Sequence, residues 1–458
     1  MNLCSSYNKV ILAILFTSYF IFYFAFVGIS VLTPEIIKEP NIDKNTIGMM
    51  IFVSGLIRLP EKLISGFLAD FLNQKWLYIC CGIIKYIFVL AFTQARRFEY
   101  MLLFWSLQEI SWGPIWPCNV KIMNNWFDKH HIATALAILN LSYLFGDSII
   151  RIIIGVMIYH GIYWRKIMVL FTFIGIGFLG IVVLFVKNKP SDRFIWQICT
   201  VNDDVDVYTV DDVCTIDNIL IKNEKNNEKT KLLADENRNM DNDKKNICVN
   251  CQVIWSKHWR HLLINPCFWA LFVTVATISF SRYTLFYWTP LYLVYLGASD
   301  SFAVIGSLVL PFAGGIGAIV IGILDDKMET EFRKNIVMFI FFILSCIGLF
   351  FLWLIQDQQW QSVNLTLIMY GIIGFFLLGA YTLPSGVMAI RFGSDCSGNA
   401  ASLLEFAGGI AMALSGLMSR IISNNNDWGL IWYICLLSSI GSFVSLFIFV
   451  LVNKVANS

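Results

Sequence analysis

Ser281–Leu293 reads SRYTLFYWTPLYL and lies within an apolar run from about Cys267 to Gly297 whose only formally charged side chain is Arg282. Roughly 20 helical residues at a rise of ~1.5 Å cover the ~30 Å hydrocarbon core of a bilayer, so this run is long enough to cross one. A guanidinium stays protonated, and at that depth it needs an anion or a wet cavity. Arg282 therefore has two roles open to it. It can belong to a structural ion pair or snorkel toward a helix end, or it can form an anion site in a carrier.

The remainder of the chain repeats the pattern. Of its 458 residues, 57% are hydrophobic and 14% charged, with a mean hydropathy of +0.68. Soluble domains carry about 25% charged residues, so the composition is that of a polytopic membrane protein. The net charge of +2 offers nothing to nucleic acid. Apolar runs fall near Val10–Leu32, Ile47–Leu68, Trp76–Thr93, Tyr100–Met123, Ile132–Tyr159 and Ile167–Val186. Six more follow at Cys267–Gly297, Phe302–Leu324, Ile336–Ile355, Leu365–Ile390, Ala400–Ile422 and Leu430–Val452. This predicts an all-α membrane protein with twelve transmembrane helices in two six-helix halves, 1–187 and 263–458. The first run is too long for the apolar core of a cleavable leader and begins a series of similar runs, so no leader is expected.

Residues 188–262 separate the halves. They hold 24 of the chain's 64 Asp, Glu, Lys and Arg residues, as in KNNEKTKLLADENRNMDNDKKN at Lys225–Asn246. Such a segment cannot bury enough apolar surface to offset its ordering entropy, and it is expected to be mostly disordered. Its end, Val253–Ile264, spaces Trp255, Trp259 and Leu262 as an interfacial amphipathic helix does. Cys248 and Cys251 form a CxxC without the second pair that a zinc ribbon needs, so no metal is expected.

Lys and Arg in the short loops set the orientation. Lys9, Lys75, Lys129, Lys327, Arg333, Lys334, Arg391 and Lys454 share a side with both termini, against Lys38, Lys44, Arg96, Arg97, Arg165 and Lys166 opposite. The excess favours cytosolic termini.

Charges inside the runs are the candidate functional residues, because intramembrane ionisable groups pair with one another or mark a solute or proton path. The second run holds Arg58, Glu61 and Lys62. Arg58 and Lys62 share a helix face, and Glu61 is near enough along the helix to pair with Arg58, which leaves one cation in excess. Asp147 and Arg151 in the fifth run have the spacing of a structural pair. Lys85, Glu109 and Glu405 stand in the third, fourth and eleventh runs. The fourth run ends in SWGPIWPCNVKIMNNWF, where Gly113, Pro114 and Pro117 interrupt helical hydrogen bonding; Trp126 in that stretch suits an anchor at the lipid interface.

The second run ends Gly66-Phe-Leu-Ala-Asp70, and the eighth ends Gly322-Ile-Leu-Asp-Asp326. Two G-x-L-x-D matches at equivalent positions indicate an internal repeat, as in two-half transporters. The first resembles the signature loop of the major facilitator superfamily, G-x-L-[AG]-D-R-x-G-R-K, through Gly66, Leu68, Asp70 and Lys75. Phe71 and Gln74 replace basic residues, which implies a weaker conformational latch. A narrower resemblance is to the organophosphate:phosphate antiporter family. It rests on Trp116-Pro117 with Met123 and Trp126, on Asn140 and Gly146, and on the small-residue segment Gly398–Gly409. It is most specific in Arg282-Tyr283, Trp288-Thr289-Pro290 and Tyr292-Leu293.

The resemblance implies alternating access by rocking of two halves and exchange of a phosphorylated metabolite against inorganic phosphate. It assigns phosphoryl binding to Arg282, a cavity contact to Lys62, and a substrate-facing position to Tyr143, a phenol that can hydrogen-bond a phosphate without carrying positive charge. The family also places an arginine in its first helix, whereas Val10–Leu32 has no Lys or Arg. Either Arg58 supplies the second cation, or the solute carries less negative charge. Glu61, Glu109 and Glu405 leave open a proton-coupled carrier of an organic anion, amino acid or drug-like solute. A sensor signalling through residues 188–262 is a third alternative. A monomer is expected, with no cofactor and no covalent chemistry.

Overall fold

The computed structural model describes residues 3–40, 42–127, 132–188, 264–328, 330–358, 362–382, 384 and 397–457. These form twelve helical rods, six on each side of the central segment. The first half contains α1 (Leu3–Ile36), α2 (Lys44–Phe71), α3 (Gln74–Gln94), α4 and α5 (Phe98–Ile110, Ile115–Trp126), α6 (Ile132–Tyr159) and α7 (Trp164–Phe185). The second contains α8 (Pro266–Tyr295), α9 and α10 (Asp300–Gly306, Val309–Lys327) and α11 (Glu331–Asp357). It continues with α12 (Val363–Ile373), which passes through a π-type turn at Gly374–Leu378 into α13 (Gly379–Thr382), then α14 and α15 (Ser397–Gly416, Met418–Asn425) and α16 (Trp428–Asn457).

Ten stretches among the described residues are long and apolar enough to span a bilayer. The two rods that fall short, α2 and α4–α5, have evident causes. α2 carries Arg58, Glu61 and Lys62, and α4 and α5 are divided by the Ser111–Pro114 turn, where Gly113 and Pro114 stand. Local chemistry sets several boundaries. Asp43 starts α2 by accepting from the Thr46 N–H at 2.8 Å, with the Thr46 hydroxyl accepting from the Asp43 N–H in return. Asn426 takes the left-handed conformation that ends α15.

α3, α7, α11 and α16 turn apolar stripes outward, for example Ile83, Ile84 and Ile87 on α3 and Leu437, Ile440, Val444 and Ile448 on α16. Among lipid tails these faces need no cover. Their inner faces, with those of the other rods, form the core. α2 lies along α14, and α8 packs on α14, α16 and α1. The α2–α14 seam is close because both sides are small. A Cβ on Gly416 would stand 2.5 Å from the Gly48 carbonyl and from the Phe52 nitrogen, so neither helix can approach this way with a larger residue.

Four polar contacts between the halves lie on the side away from the chain termini. There Lys38 pairs with Asp300, Lys44 bonds Asn426 at 2.6 Å, Asn45 donates to Ser423 at 3.0 Å, and Ser301 donates to the Gly155 carbonyl at 2.7 Å. On the same side, within the first half, Arg165 holds Glu39 and the carbonyls of Thr93 and Ala95, while Trp164 and Tyr163 also donate to Glu39. Burial alone would raise the Glu39 carboxyl, but the hydrogen bonds from Arg165 and Tyr163 outweigh it and hold Glu39 below its ordinary value.

Trp126 is not an interface anchor. It is buried, donates to the Lys187 carbonyl at 2.7 Å, and packs on Tyr7 with ring centres 5.1 Å apart, because α5 ends against the C-terminal end of α7. Lys75 reaches the Val183 carbonyl of the same helix end at 2.7 Å. Gly66 lies within α2 and Gly322 within α10, but the side chains of Asp70 and Asp326 lie outside the described residues. So do the CxxC and all of the expected interfacial helix except Ile264.

Candidate functional site

The site begins with α8. Its apolar composition drives it into the bundle, where nearly every residue from Ile278 to Leu293 is buried. Arg282 is only partly buried in this stretch. Its guanidinium carbon lies 4.3 Å from the centre of the Tyr381 ring, 5.0 Å from Tyr283 and 5.9 Å from Phe286. Among the described residues it has neither a carboxylate partner nor a hydrogen bond. A guanidinium on aromatic faces is held by cation–π attraction, which leaves its five N–H donors uncommitted. Arg282 and Arg151 line one small cavity with Tyr23 and Ser30 of α1 and Tyr283 and Tyr287 of α8.

The other intramembrane cations are engaged. Arg58, from α2, grips Glu109 of α4 through two nitrogens, Nη2 and Nε, at 3.0 and 3.1 Å, and both side chains are buried. Arg58 therefore pairs across to α4 rather than along its own helix with Glu61. Its inward face meets Glu109, and Gln108 completes that carboxylate at 2.9 Å. This arrangement argues against Arg58 as the spare cation. Glu61 turns instead toward the Ser111–Pro114 break and packs against Gly113. Both of its carboxyl oxygens are buried without a partner among the described residues. Lys85, 1% exposed, sets its ammonium 3.9 Å from the centre of the Trp112 ring.

Lys62 crosses from the first half toward the second, with its ammonium 3.8 Å from the Glu405 carboxylate on α14. Glu405 also accepts from the Tyr381 hydroxyl at 3.3 Å. Lys62, Glu405, Tyr381 and Arg282 thus form a chain of contacts from one half to the other. Tyr143 of α6 stands beside Tyr23, with ring centres 5.4 Å apart. Asp147 and Arg151 form the expected pair, Nε to Oδ1 at 3.1 Å, but Arg151 also donates from Nη1 to Ser307 of the opposite half at 2.7 Å.

Several participants lacked a signal in the sequence, Tyr23 and Ser30 of α1 among them. Tyr381 and Tyr287 are aromatic residues in aromatic-rich runs, and Ser307 is one serine among many; only three-dimensional proximity distinguishes them. Groups of three or more His, Cys, Asp or Glu side chains able to hold a metal are absent among the described residues.

A family model described as Major Facilitator Superfamily matches residues 15–416, and the chain belongs to that superfamily. It is 22% identical over 421 residues to a probable hexose phosphate transport protein of Chlamydia trachomatis, covering 91% of this chain and 84% of the relative. It is also 22% identical over 398 residues to putative glycerol-3-phosphate transporter 2 of Arabidopsis thaliana, covering 82% and 71%. Among solved structures, a D-xylose-proton symporter superposes with a TM-score of 0.69 at 11% identity, over 97% of this chain and 98% of the other. The chain is thus a multi-pass membrane transporter and not an enzyme.

Proposed function

We propose that this member of the major facilitator superfamily carries a small phosphorylated metabolite across its membrane by alternating access, exchanging it for inorganic phosphate. The observation behind this reading is Arg282, a permanent cation at bilayer depth, bordering a cavity and lacking an acid partner among the described residues. Arginine offers a phosphoryl group two parallel charge-assisted hydrogen bonds, which its tyrosine surroundings leave available. Lys62 contributes the contact from the opposite half. An arriving anion competes with Glu405 for it, so binding exchanges one inter-half ion pair for a bridge through the solute. Tyr143 serves as a neutral hydrogen-bonding group on α6. The names of the relatives support a phosphorylated sugar or glycerol phosphate as cargo.

The excess of Lys and Arg on the side of the termini supports a cytosolic location for both. The test is purified protein in vesicles loaded with inorganic phosphate and presented with labelled glycerol 3-phosphate or hexose 6-phosphate. Uptake should require internal phosphate and be abolished by Arg282→Ala; uptake independent of internal phosphate removes the exchange mechanism. Lys62→Gln should raise the KM for the same substrate, with assembled protein retained.

Glu61 favours a second reading, in which transport is linked to protons. A carboxyl with two unpartnered buried oxygens can take up and release a proton between conformations. A pH gradient driving uptake into phosphate-free vesicles, lost in Glu61→Gln, would select it.

A further inference from the structure

α1 lines the cavity with Tyr23 and Ser30 and brings it no cation, whereas α6 brings a second guanidinium. Arg151 and Arg282 border the same cavity, with guanidinium carbons 5.8 and 5.9 Å from the centre of a single Phe286 ring. Arg58 is held by Glu109 and does not border that cavity. Arg151 has a resident acid of its own. Asp147 takes its Nε at 3.1 Å through Oδ1, while Asp147 Oδ2 is buried with no partner among the described residues. A buried carboxylate using one oxygen of two is an incomplete partner for a guanidinium, which could make a second parallel bond. The Arg151 Nη1 turns to Ser307 in the other half instead.

Taking anion binding at Arg282 as its premise, we propose that Arg151 is the second guanidinium of the anion site and that Asp147 sets how much negative charge the site accepts. Arg151 and Arg282 together bring two positive charges to the cavity, and Asp147 cancels one. The local balance of one excess charge matches a singly charged phosphate and leaves one charge of a doubly charged phosphate without a partner in the site. It also makes Asp147 a competitor of the solute: an anion reaching Arg151 displaces part of its bond to Asp147 or to Ser307. Because Ser307 belongs to the opposite half, displacing that bond loosens an inter-half tie. Binding charge and releasing the halves then act through the same side chain.

Removing the carboxylate while keeping its shape tests this. Binding is measured at pH 7.5 on purified protein with two probes, glycerol 3-phosphate as a dianion and dimethyl phosphate as a fixed monoanion. Asp147→Asn should tighten glycerol 3-phosphate about tenfold and change dimethyl phosphate much less, because each added charge on the ligand interacts separately with the charge removed. A gain of affinity of this kind cannot arise from misfolding. Arg151→Gln with Asp147→Asn removes both charges and leaves neither member of the pair as an unmatched buried ion. That variant should elute as a single species and bind the dianion about tenfold or more weakly than Asp147→Asn alone. If Arg282→Gln abolishes binding while Asp147→Asn and the double variant both bind as wild type does, Arg151 and Asp147 are a structural pair and the proposal fails, with the carrier function intact. If wild-type protein binds neither probe, the anion site and this proposal fail together.

Discussion

The pair Arg58–Glu109 allows a quantitative test of which cations the bundle keeps for itself. Its nitrogens and oxygen are 3.0–3.1 Å apart, and the two side chains are 6% and 2% exposed. Charge centres roughly 4 Å apart at an effective dielectric of about 20 attract by about 4 kcal/mol. Most of that attraction offsets the desolvation of two ions, so the pair is worth little net. Breaking it on one side is a different matter, because a guanidinium that has lost its acid stays buried, at a cost of about 3–5 kcal/mol. Glu109→Gln should therefore lower the unfolding temperature in detergent by many degrees. Arg58→Met combined with Glu109→Met replaces the pair with apolar groups of similar length and should recover wild-type stability or exceed it. Anion binding by that double variant should stay within a few-fold of wild type. Two results would refute the reasoning: a Glu109→Gln protein as stable as wild type, or a stable double variant that loses anion binding as completely as Arg282→Gln does. The second would return Arg58 to the substrate site.

Arg282→Lys keeps the charge but not the planar fork, and uptake in the phosphate-loaded vesicles should fall more than about tenfold; wild-type uptake would exclude two-point recognition. Gly416→Ala forces α2 and α14 apart at Gly48 and Phe52, so transport should be lost or slowed more than about tenfold in protein that still purifies as one species. Glu39 is held below its ordinary value of 4.5 by Arg165 and Tyr163. Its stabilising contribution is complete above pH 4.5 and disappears as pH falls through its lower folded value. The gap in unfolding temperature between wild type and Glu39→Gln should thus be full at pH 6 and close progressively below pH 4.5; a gap independent of pH would show that Glu39 acts through packing alone.

Much of the candidate site was legible because charge is rare in a membrane. Arg58, Glu61, Lys62, Lys85, Glu109, Asp147, Arg151, Arg282 and Glu405 stand out against apolar runs, and each had to be satisfied by something. Their pairing was less legible. Helical spacing linked Asp147 with Arg151 correctly, since both lie on one face of one helix. The same logic applied to Arg58 and Glu61 suggested a pair that the bundle does not make, because Glu109 approaches from α4 with better geometry. Trp126 shows a similar limit: an aromatic near a helix end has the composition of an interface anchor, yet the end of α7 covers it.

The sequence by itself determined the apolar helical rods and the presence of charge within them. Those follow from hydrocarbon thickness and the cost of exposing polar groups to lipid, which act on each segment separately. Only the tertiary structure decided which charges neutralise one another and which guanidinia border the cavity. Pairing depends on the rotation and crossing of helices far apart in the chain, and a one-residue change in helix phase turns a side chain by about 100°. That geometry is why Arg151, and not Arg58, shares a cavity with Arg282.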